Sequence, residues 1–234
     1  MNRRLFHQMK TRRFFRGYIF LACIVAISVV GTTLLQAKTK PAWVLKRSND
    51  KVQVFTRVKP GSDINEVLGK TTLPVPPWVL MNVITDFGNY KDFMPYTTRS
   101  KIIKTMGKTV YSYQYLDIPV LSNRDYVIAV TDVSYKDKKG NLIYKTQWVP
   151  SNELAPALPD DTVRIKINEG HWTLESQQAG KATLLSYYLY TSPGGSVPTW
   201  AANKGNTDAL PNMFEAIEKH SRLKKYWKQP TTPQ

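Results

Sequence analysis

The chain has 234 residues, which is enough for one ordinary domain with an appendage and too few for two large domains. Its hydrophobic share of 42% excludes a chain that is disordered over most of its length. The formal net charge of +16 suits an anionic membrane surface or nucleic acid, or it only solvates the surface.

The first element along the chain is an uncharged apolar run at residues 18–35, preceded by a basic segment without acidic residues. As a helix this run would rise about 27 Å, close to the hydrocarbon thickness of a bilayer. We therefore predict a membrane-inserting helix within residues 1–37. It is either a signal peptide that is cut after Ala37 or an uncleaved signal anchor, and the large Leu35 and the length of the run favour the anchor.

The positive charge before the apolar run indicates where the rest of the chain goes. By the positive-inside rule the basic segment stays in the cytoplasm and the domain is exported. We expect a periplasmic domain, or one anchored to the inner membrane on its periplasmic side. A mitochondrial presequence, which is also rich in Arg and poor in acidic residues, is the alternative.

Residues 38–42 form a short linker, residues 43–227 the folded domain and residues 228–234 a tail. Residues 43–48 are predicted to form a short helix, and residues 52–58 and 66–75 two strands. Pro76 and Pro77 then open a helix, because proline is tolerated in the first turn. The apolar stripe of this helix has the i, i+3, i+4, i+7 spacing of one helix face and consists of Leu80, Val83, Ile84 and Phe87.

A succession of strands and a terminal helix complete the domain. The strands are predicted at 101–105, 109–117, 125–135, 142–149, 163–168, 171–176 and 182–191, and the helix at 197–225 with a kink or break at Pro211. Short turns between the strands argue for an antiparallel sheet, and the flanking helices for an α+β fold. The proline-rich loop at residues 150–161 is either a lid over a cavity or an ordinary surface loop.

The scan for catalytic chemistry finds little. Cys23 is the only cysteine and lies in the apolar run, so the folded domain has neither a disulfide nor a thiolate nucleophile. The three histidines are far apart in sequence, no zinc-ligand spacing occurs, and G-x-S-x-G is absent from the sequence. We therefore predict no catalytic residue, no metal site and no cofactor.

Four motifs in a fixed order carry a resemblance to a known family. They are the end of the predicted helix at 78–95, the strand start NRDYV at 123–127, VR at 163–164 followed by EGHW at 169–172, and TSPGGSVPTW at 191–200. Together they resemble the START (StAR-related lipid-transfer) domain family, within the helix-grip, polyketide-cyclase-like superfamily, as a bacterial member. The resemblance implies a curved antiparallel β-sheet closed by a long C-terminal α-helix around an internal hydrophobic cavity.

The function implied by this resemblance is the non-catalytic binding of a lipid or other hydrophobic small molecule in an internal tunnel, extending to its transfer between membranes. We expect a monomer that meets an anionic membrane surface and binds no nucleic acid, because export removes the domain from the cytoplasm. The alternative is an enzyme that acts on a hydrophobic substrate, as related cyclases and hydrolases do. Val130 stands where some sterol-binding members have a second arginine, which puts a buried charged anchor in doubt.

Strand alternation and the stripe of the terminal helix supply the candidate ligand-binding residues. The apolar and aromatic candidates are Tyr113, Tyr115, Trp148, Tyr188, Trp200, Met213, Phe214 and Ile217. Arg124 and Arg164 are added as charged candidates that either contact the ligand or hold neighbouring loops. Arg124 and Asp125 adjoin on a strand, so their side chains should point to opposite faces.

Overall fold

The structure, a computed structural model, describes residues 41–229. The predicted membrane-inserting helix within residues 1–37 lies outside the described residues, as does the end of the predicted tail. Between residues 41 and 229, no helix combines the length and the apolar character needed to cross a bilayer.

The described domain consists of one large sheet and two α-helices. The strands are β1 Val44–Ser48, β2 Val52–Val58, β3 Asn65–Leu73, β4 Thr97–Met106, β5 Thr109–Leu116, β6 Asn123–Asp132, β7 Tyr135–Lys136, β8 Leu142–Pro150, β9 Thr162–Arg164, β10 Ile167–Gln177 and β11 Ala182–Ser192. The helices are α1 Pro77–Ile84 and α2 Thr199–His220, with 3-10 turns at Phe87–Asp92, Asn152–Leu154, Gln178–Gly180 and Lys224–Trp227.

The strands follow one another across the sheet in the order β1-β2-β3-β11-β10-β8-β6-β5-β4, with β7 added to β8 and β9 to β6. All neighbours are antiparallel except β9, which runs parallel to β6. The C-terminal hairpin β10–β11 thus joins the first three strands to the middle of the chain. This is the antiparallel sheet with a long C-terminal helix that the START resemblance implies.

Strand alternation divides the sheet into two faces. We call inner the face that packs on α1 and α2, and outer the opposite face. The main hydrophobic core lies on the inner face and includes both helices. A small second cluster lies on the outer face, around Tyr113, Tyr115 and Val127.

Helix α1 confirms its predicted stripe. Pro77 occupies the first turn, and Leu80, Val83, Ile84 and Phe87 are all buried. The helix is shorter than the stripe, because it ends at Ile84 and Phe87 belongs to the 3-10 turn that follows. The amide and the hydroxyl of Thr85 both donate to the carbonyl of Met81 at the end of the helix.

Helix α2 is fixed to the sheet by the C-terminal half of its length. Leu210, Phe214 and Ile217 are fully buried there, and a Cβ built on Gly69 of β3 would lie 2.8 Å from Leu210 Cδ1 and 2.9 Å from Phe214 Cζ. The helix can therefore approach the sheet this closely because residue 69 has no side chain. Pro211 lies inside α2 without ending it, so the alternative of a break is wrong.

The fold corrects one further prediction and decides between two alternatives for a loop. Residues 43–48 were predicted as a helix, but Val44–Ser48 form an exposed edge strand, because pairing with β2 outweighs the local pattern. The proline-rich loop lies away from the inner face, since Pro156, Ala157 and Pro159 face Arg99, Lys101 and Tyr113 in a groove on the outer face. Of the two alternatives for this loop, the position supports the ordinary surface loop and not the lid over an inner cavity.

Strand β4 is irregular. It pairs with β5 alone, at the end of the sheet, and its register shifts between Thr97 and Arg99 and again between Ile102 and Lys104. Shifts of this kind insert an extra residue into one strand and increase the local twist.

Candidate ligand-binding cavity

A cavity of about 230 Å³ lies between the inner face of the sheet, the N-terminal part of α2 and the segment from Phe87 to Thr97. Most of the side chains around it are aromatic or aliphatic. They are Phe87, Tyr90, Met94, Tyr96, Leu116, Ile118, Tyr126, Ile128, Val130, Trp148, Ile165, Trp172, Tyr187, Leu189, Ala209 and Met213, together with Pro95, Thr97, Asn168, Thr191, Pro193 and Asn206. A concave apolar space with a few polar groups is typical of small-molecule sites.

The wall formed by the sheet follows from the alternation of β6 and its neighbours. Tyr126, Ile128 and Val130 are two residues apart and therefore point to the same side, into the cavity. Trp148 of β8 stands opposite Val130. The sequence folds this way because the other residues of β6, such as Val127, are taken up by the outer cluster.

The indole of Trp148 is held in place by two residues of β10. A Cβ built on Gly170 would lie 2.4 Å from Trp148 Cζ2, so the ring occupies the space that any other residue would fill. Trp148 Nε1 donates to Asn168 Oδ1 at 3.1 Å. The ring is further stacked on Tyr187, with the centroids 5.6 Å apart. The indole is therefore a rigid part of the cavity wall.

Three tyrosines bring their phenol groups to this cavity. Tyr90 donates to the carbonyl of Ile84 at 2.5 Å. Burial raises the pKa of Tyr126 to about 12, against the opposing effect of a hydrogen bond with Asn168. Burial also raises the pKa of Tyr187, and the neighbouring phenol of Tyr126 adds to it. All three phenols therefore stay protonated at neutral pH. The O–H of Tyr90 is used by Ile84, whereas those of Tyr126 and Tyr187 remain to be donated.

The Tyr187 hydroxyl is the least satisfied of the three. It has no hydrogen-bond partner within the described part of the chain, yet its oxygen is not sealed off from contact with small molecules. Since Tyr187 lines the cavity and is otherwise enclosed by protein, its oxygen faces the cavity. Gln114, which pairs with Tyr126 across β5 and β6, differs in that its Oε1 is sealed and unpartnered among residues 41–229.

The cavity is uncharged. The described residues that line it include no Asp, Glu, Lys, Arg or His. No cluster of His, Cys, Asp and Glu suited to a metal ion occurs in residues 41–229. The specific chemistry that the described lining offers to a ligand is therefore hydrogen bonding by uncharged phenol, hydroxyl and amide groups in an apolar wall.

The charged residues of the Arg-Asp strand start lie outside this cavity. Asp125 is fully buried on the outer side, where its carboxylate accepts from Arg164 Nε at 3.1 Å and from Nη2 at 2.8 Å. The hydrogen bond to Asp125 raises the pKa of Arg164, although burial opposes it. Arg164 also donates to the carbonyl of Pro156, and Tyr113 donates to Asp125 at 3.3 Å. This network ties the proline-rich loop to β6.

Arg124 points to the other side of β6, as the alternation predicts, and it is nearly sealed. Its guanidinium donates to the carbonyl of Ser122 and, at 3.5 Å, to that of Pro193. Burial lowers the pKa of Arg124, and it forms no ion pair with any described residue. The geometry gives both arginines a part in holding loops, which is one of the two roles predicted for them.

The structure brings two of the ten candidate residues to the cavity, namely Trp148 and Met213. Tyr113, Tyr115 and Tyr188 lie on the outer face, because the phase of the alternation is opposite to the one assumed. Phe214 and Ile217 are closed into the contact of α2 with the core. Trp200 is 71% exposed at the start of α2. Their placement on the cavity wall is thereby corrected.

Sequence reasoning missed the polar residues of the cavity. Tyr126, Tyr187 and Asn168 were not among the candidates, although Tyr126 and Asn168 lie within or next to a motif and Tyr187 adjoins the candidate Tyr188. The inward direction of Tyr187 follows from its pairing with Trp172 across β10 and β11, and that pairing is known only once the register of the hairpin is known. The strand start at Asn123 supplies the phase for Tyr126, once Asp125 is assigned to the outer side.

Exposed apolar side chains surround the rim of the cavity. Val120 is fully exposed and Leu121 is 37% exposed, in the loop between β5 and β6 that also supplies Ile118 to the cavity. Tyr96 is 44% exposed, and its carbonyl accepts from the amide of Asp117 in the same loop. Trp200 follows the turn that begins with Pro193. We call Tyr96, Val120, Leu121 and Trp200 the apolar rim.

Comparisons with known proteins agree with this geometry. A protein-family model described as polyketide cyclase / dehydrase and lipid transport matches residues 73–218. An uncharacterized protein of Pseudomonas aeruginosa is 26% identical over 207 residues, covering 86% of this chain and 96% of its own length. The bovine phosphatidylcholine transfer protein is 26% identical over 144 residues, which are 61% of this chain and 66% of its own.

Among solved structures, the STAR-related lipid transfer protein of Xanthomonas axonopodis (fragment 25–204) superposes with a TM-score of 0.68 at 26% identity. The match covers 77% of this chain and 99% of that one.

Proposed function

The chain belongs to the polyketide cyclase / dehydrase and lipid transport family, and from that membership we propose that it binds one lipid or similar hydrophobic molecule and transfers it between membranes without chemical change. The observation that carries this proposal is the apolar, uncharged cavity between the sheet and α2. The lipid-transfer relatives from Xanthomonas axonopodis and cattle support it, because their names describe the same activity.

The energetics of such a cavity suit a carrier. Removing several hundred Å² of apolar ligand surface from water contributes on the order of 10 kcal/mol at about 25 cal/mol per Å². Relative to a bilayer the same ligand gains almost nothing, since acyl chains are as apolar as the cavity wall. A ligand is therefore held against release into water and is still given up to a membrane.

The apolar rim supports a docking role at an anionic membrane. Val120 and Trp200 expose large apolar surfaces beside the cavity, where insertion into a membrane interface would bury them. The basic character of residues 38–234, which hold 27 Lys and Arg against 17 Asp and Glu, would add attraction to anionic lipid head groups. On the sequence evidence for an N-terminal membrane-inserting helix, we place the domain on the periplasmic side of the inner membrane, as a monomer.

An enzymatic function receives less support from the cavity. A cyclase or a hydrolase needs an acid and a base within reach of the substrate. The described lining offers only phenols whose pKa values are raised, and these are poor bases at neutral pH. We therefore propose binding and transfer rather than catalysis.

Native mass spectrometry of the purified full-length chain, followed by extraction and identification of lipids, tests the proposal. We expect one hydrophobic molecule per chain and its transfer from donor to acceptor vesicles. A chain that folds and carries no lipid in any preparation would contradict the proposal. Turnover of a bound lipid would move the assignment to an enzyme, and salt-sensitive binding of RNA without lipid would move it to nucleic-acid recognition.

A further inference from the structure

We propose that the cavity selects an uncharged amphiphile with a single apolar body and one hydroxyl or carbonyl group, which is bound by the Tyr126 and Tyr187 hydroxyls. This inference rests on the proposed function and deepens it, because it names the class of lipid. It excludes ligands whose phosphate or ammonium group would lie inside the cavity.

The described residues that line the cavity carry no charge. An ion that is moved from water into a protein interior loses several kcal/mol of hydration, unless a partner of opposite charge compensates it. Arg124 is the nearest candidate partner for a phosphate, because Pro193, which it contacts, lines the cavity. Its guanidinium is instead occupied by backbone carbonyls and is nearly sealed from solvent.

The cavity presents phenol hydroxyls as hydrogen-bond donors. Neither the Tyr126 hydroxyl nor the Tyr187 hydroxyl donates to another residue among 41–229, although both residues line the cavity. Asn168 is oriented by Trp148 Nε1, so this arrangement is fixed before a ligand binds. Two free O–H donors match an acceptor, which a hydroxyl or carbonyl oxygen supplies.

The Tyr187 hydroxyl lies deeper in the cavity than the rim. Tyr187 pairs with Trp172, whereas Thr191, four residues further along β11, is joined to α2 by Asn206 at 3.0 Å and marks the rim. A ligand oxygen that reaches Tyr187 has therefore passed the rim. Its apolar body then lies between the hydroxyls and the apolar rim, among Ile128, Leu189 and Met213.

The cavity is also small. The volume of about 230 Å³ is below the range of roughly 300–1,000 Å³ that is usual for sites of drug-sized ligands. A lipid with two long acyl chains would have to move α2 away from the sheet, against the tight contact at Gly69. A single chain or a compact ring system makes the smaller demand.

Three probes with the same chain and different head groups test the inference: 1-decanol, decane and decylphosphocholine. The full-length chain in detergent micelles is incubated with the three probes at equal concentration, and bound species are counted by native mass spectrometry. We expect 1-decanol to be bound at least tenfold more than decylphosphocholine. Tyr187→Phe should reduce the binding of 1-decanol about three- to tenfold and leave that of decane unchanged.

Tyr188→Phe is the matched control, because this neighbouring hydroxyl donates to Glu66 on the outer face. It should leave all three probes unaffected, and comparison between variants cancels the partition of each probe into the micelles. Equal binding of the three probes, or an unchanged ratio in Tyr187→Phe, overturns the selection of an uncharged oxygen but leaves lipid binding intact. If no probe binds to the folded chain, the proposed function fails with it.

Discussion

The indole of Trp148 occupies the space left by the missing side chain of Gly170. A Cβ on Gly170 would lie 2.4 Å from Trp148 Cζ2 and 2.3 Å from the carbonyl oxygen of Tyr188. The Trp148 ring of β8 can therefore lie over β10 only because residue 170 has no side chain. This close packing sets the position of the indole in the cavity wall.

Gly170→Ala should therefore disturb both stability and ligand binding. The new methyl group meets backbone as well as the ring, and overpacking of this kind typically costs about 1–3 kcal/mol. Urea unfolding measures the loss, and lipid content measures the change at Trp148. Gly205→Ala is the control: its Cβ would meet nothing within 4 Å, and alanine should stabilise α2 by about 0.5–1 kcal/mol. Equal stability of the two variants would contradict the account of Gly170.

Truncations at the two ends of α2 should have different effects. Phe214 is 1% exposed and packs on Gly69, so Phe214→Ala should reduce the free energy of unfolding by about 3–5 kcal/mol. Trp200 is 71% exposed, and Trp200→Ala should change it by no more than about 0.5 kcal/mol. Chemical denaturation of the two variants measures both effects. A large loss of stability in Trp200→Ala would show that the start of α2 is packed in solution.

The buried carboxylate of Asp125 should be far more important for stability than an exposed one. Asp125→Asn leaves Arg164 without its ionic partner, and breaking a buried pair typically costs about 3–5 kcal/mol. Asp208→Asn removes exposed pairs with Arg47 and Lys204, in which all three side chains keep more than a third of their surface, and should cost about 0–1 kcal/mol. Thermal unfolding of both variants checks the difference. Similar melting temperatures would refute a structural role for the Asp125 network.

His171 should make the fold sensitive to mild acid. Burial, with a smaller contribution from the charge of Lys145, lowers the pKa of His171 from 6.5 to about 4. Between these values the unfolded chain takes up a proton that the native imidazole refuses, so stability is present above pH 6.5 and is lost as the pH falls towards 4. Between pH 7 and pH 5 we expect a loss of about 2 kcal/mol from this group.

Urea unfolding at the two pH values, in the unmodified chain and in His171→Gln, measures this contribution. The variant should lose less stability between pH 7 and pH 5. His220, whose pKa burial also lowers, remains in both proteins and cancels from the comparison. An identical loss in both would mean that His171 does not titrate in this way.

The apolar rim should govern attachment to membranes. In a chain that begins at residue 38, without the apolar run at 18–35, Val120→Asp should weaken binding to anionic vesicles at least tenfold, because an apolar side chain is lost and a repelled charge is added. Val120 has a φ of 61°, a conformation that Asp tolerates, so the fold should be unaffected. Sedimentation with vesicles gives the affinity.

Leu142→Asp is the matched control for the rim, because Leu142 is 43% exposed but begins β8, at the far end from the cavity. Vesicle binding should persist in this variant. A similar decrease in both variants would indicate a general effect of charge instead of docking through the rim.

The fold was largely predictable from the sequence. The α+β class, the order of the elements and the START resemblance are confirmed. Short turns and the order of motifs can be read from the sequence without knowing the register of the strands. The stripe of α1 was found for the same reason, since one helix face is defined by spacing alone. The segment at 43–48 was not, because an exposed edge strand has no buried face to reveal it.

The cavity wall was much less predictable. Tyr187 and Tyr188 adjoin, and local sequence does not say which of them points inward. The answer depends on pairing with Trp172 and His171, which are set by the register of β10 and β11. Gly170 was recognised as part of a motif, but its relation to Trp148 connects two strands and is visible only in three dimensions.

The irregular register of β4 has a consequence for self-association. An outermost strand offers unpaired amides and carbonyls to any other strand, and a long regular one is a template for aggregation or domain swapping. The two register shifts of β4 interrupt that template, and Arg99, Lys101 and Lys104 place like charges along it. Two copies of this edge would therefore meet in poor alignment and with like charges facing each other, which disfavours pairing between the β4 strands of two molecules.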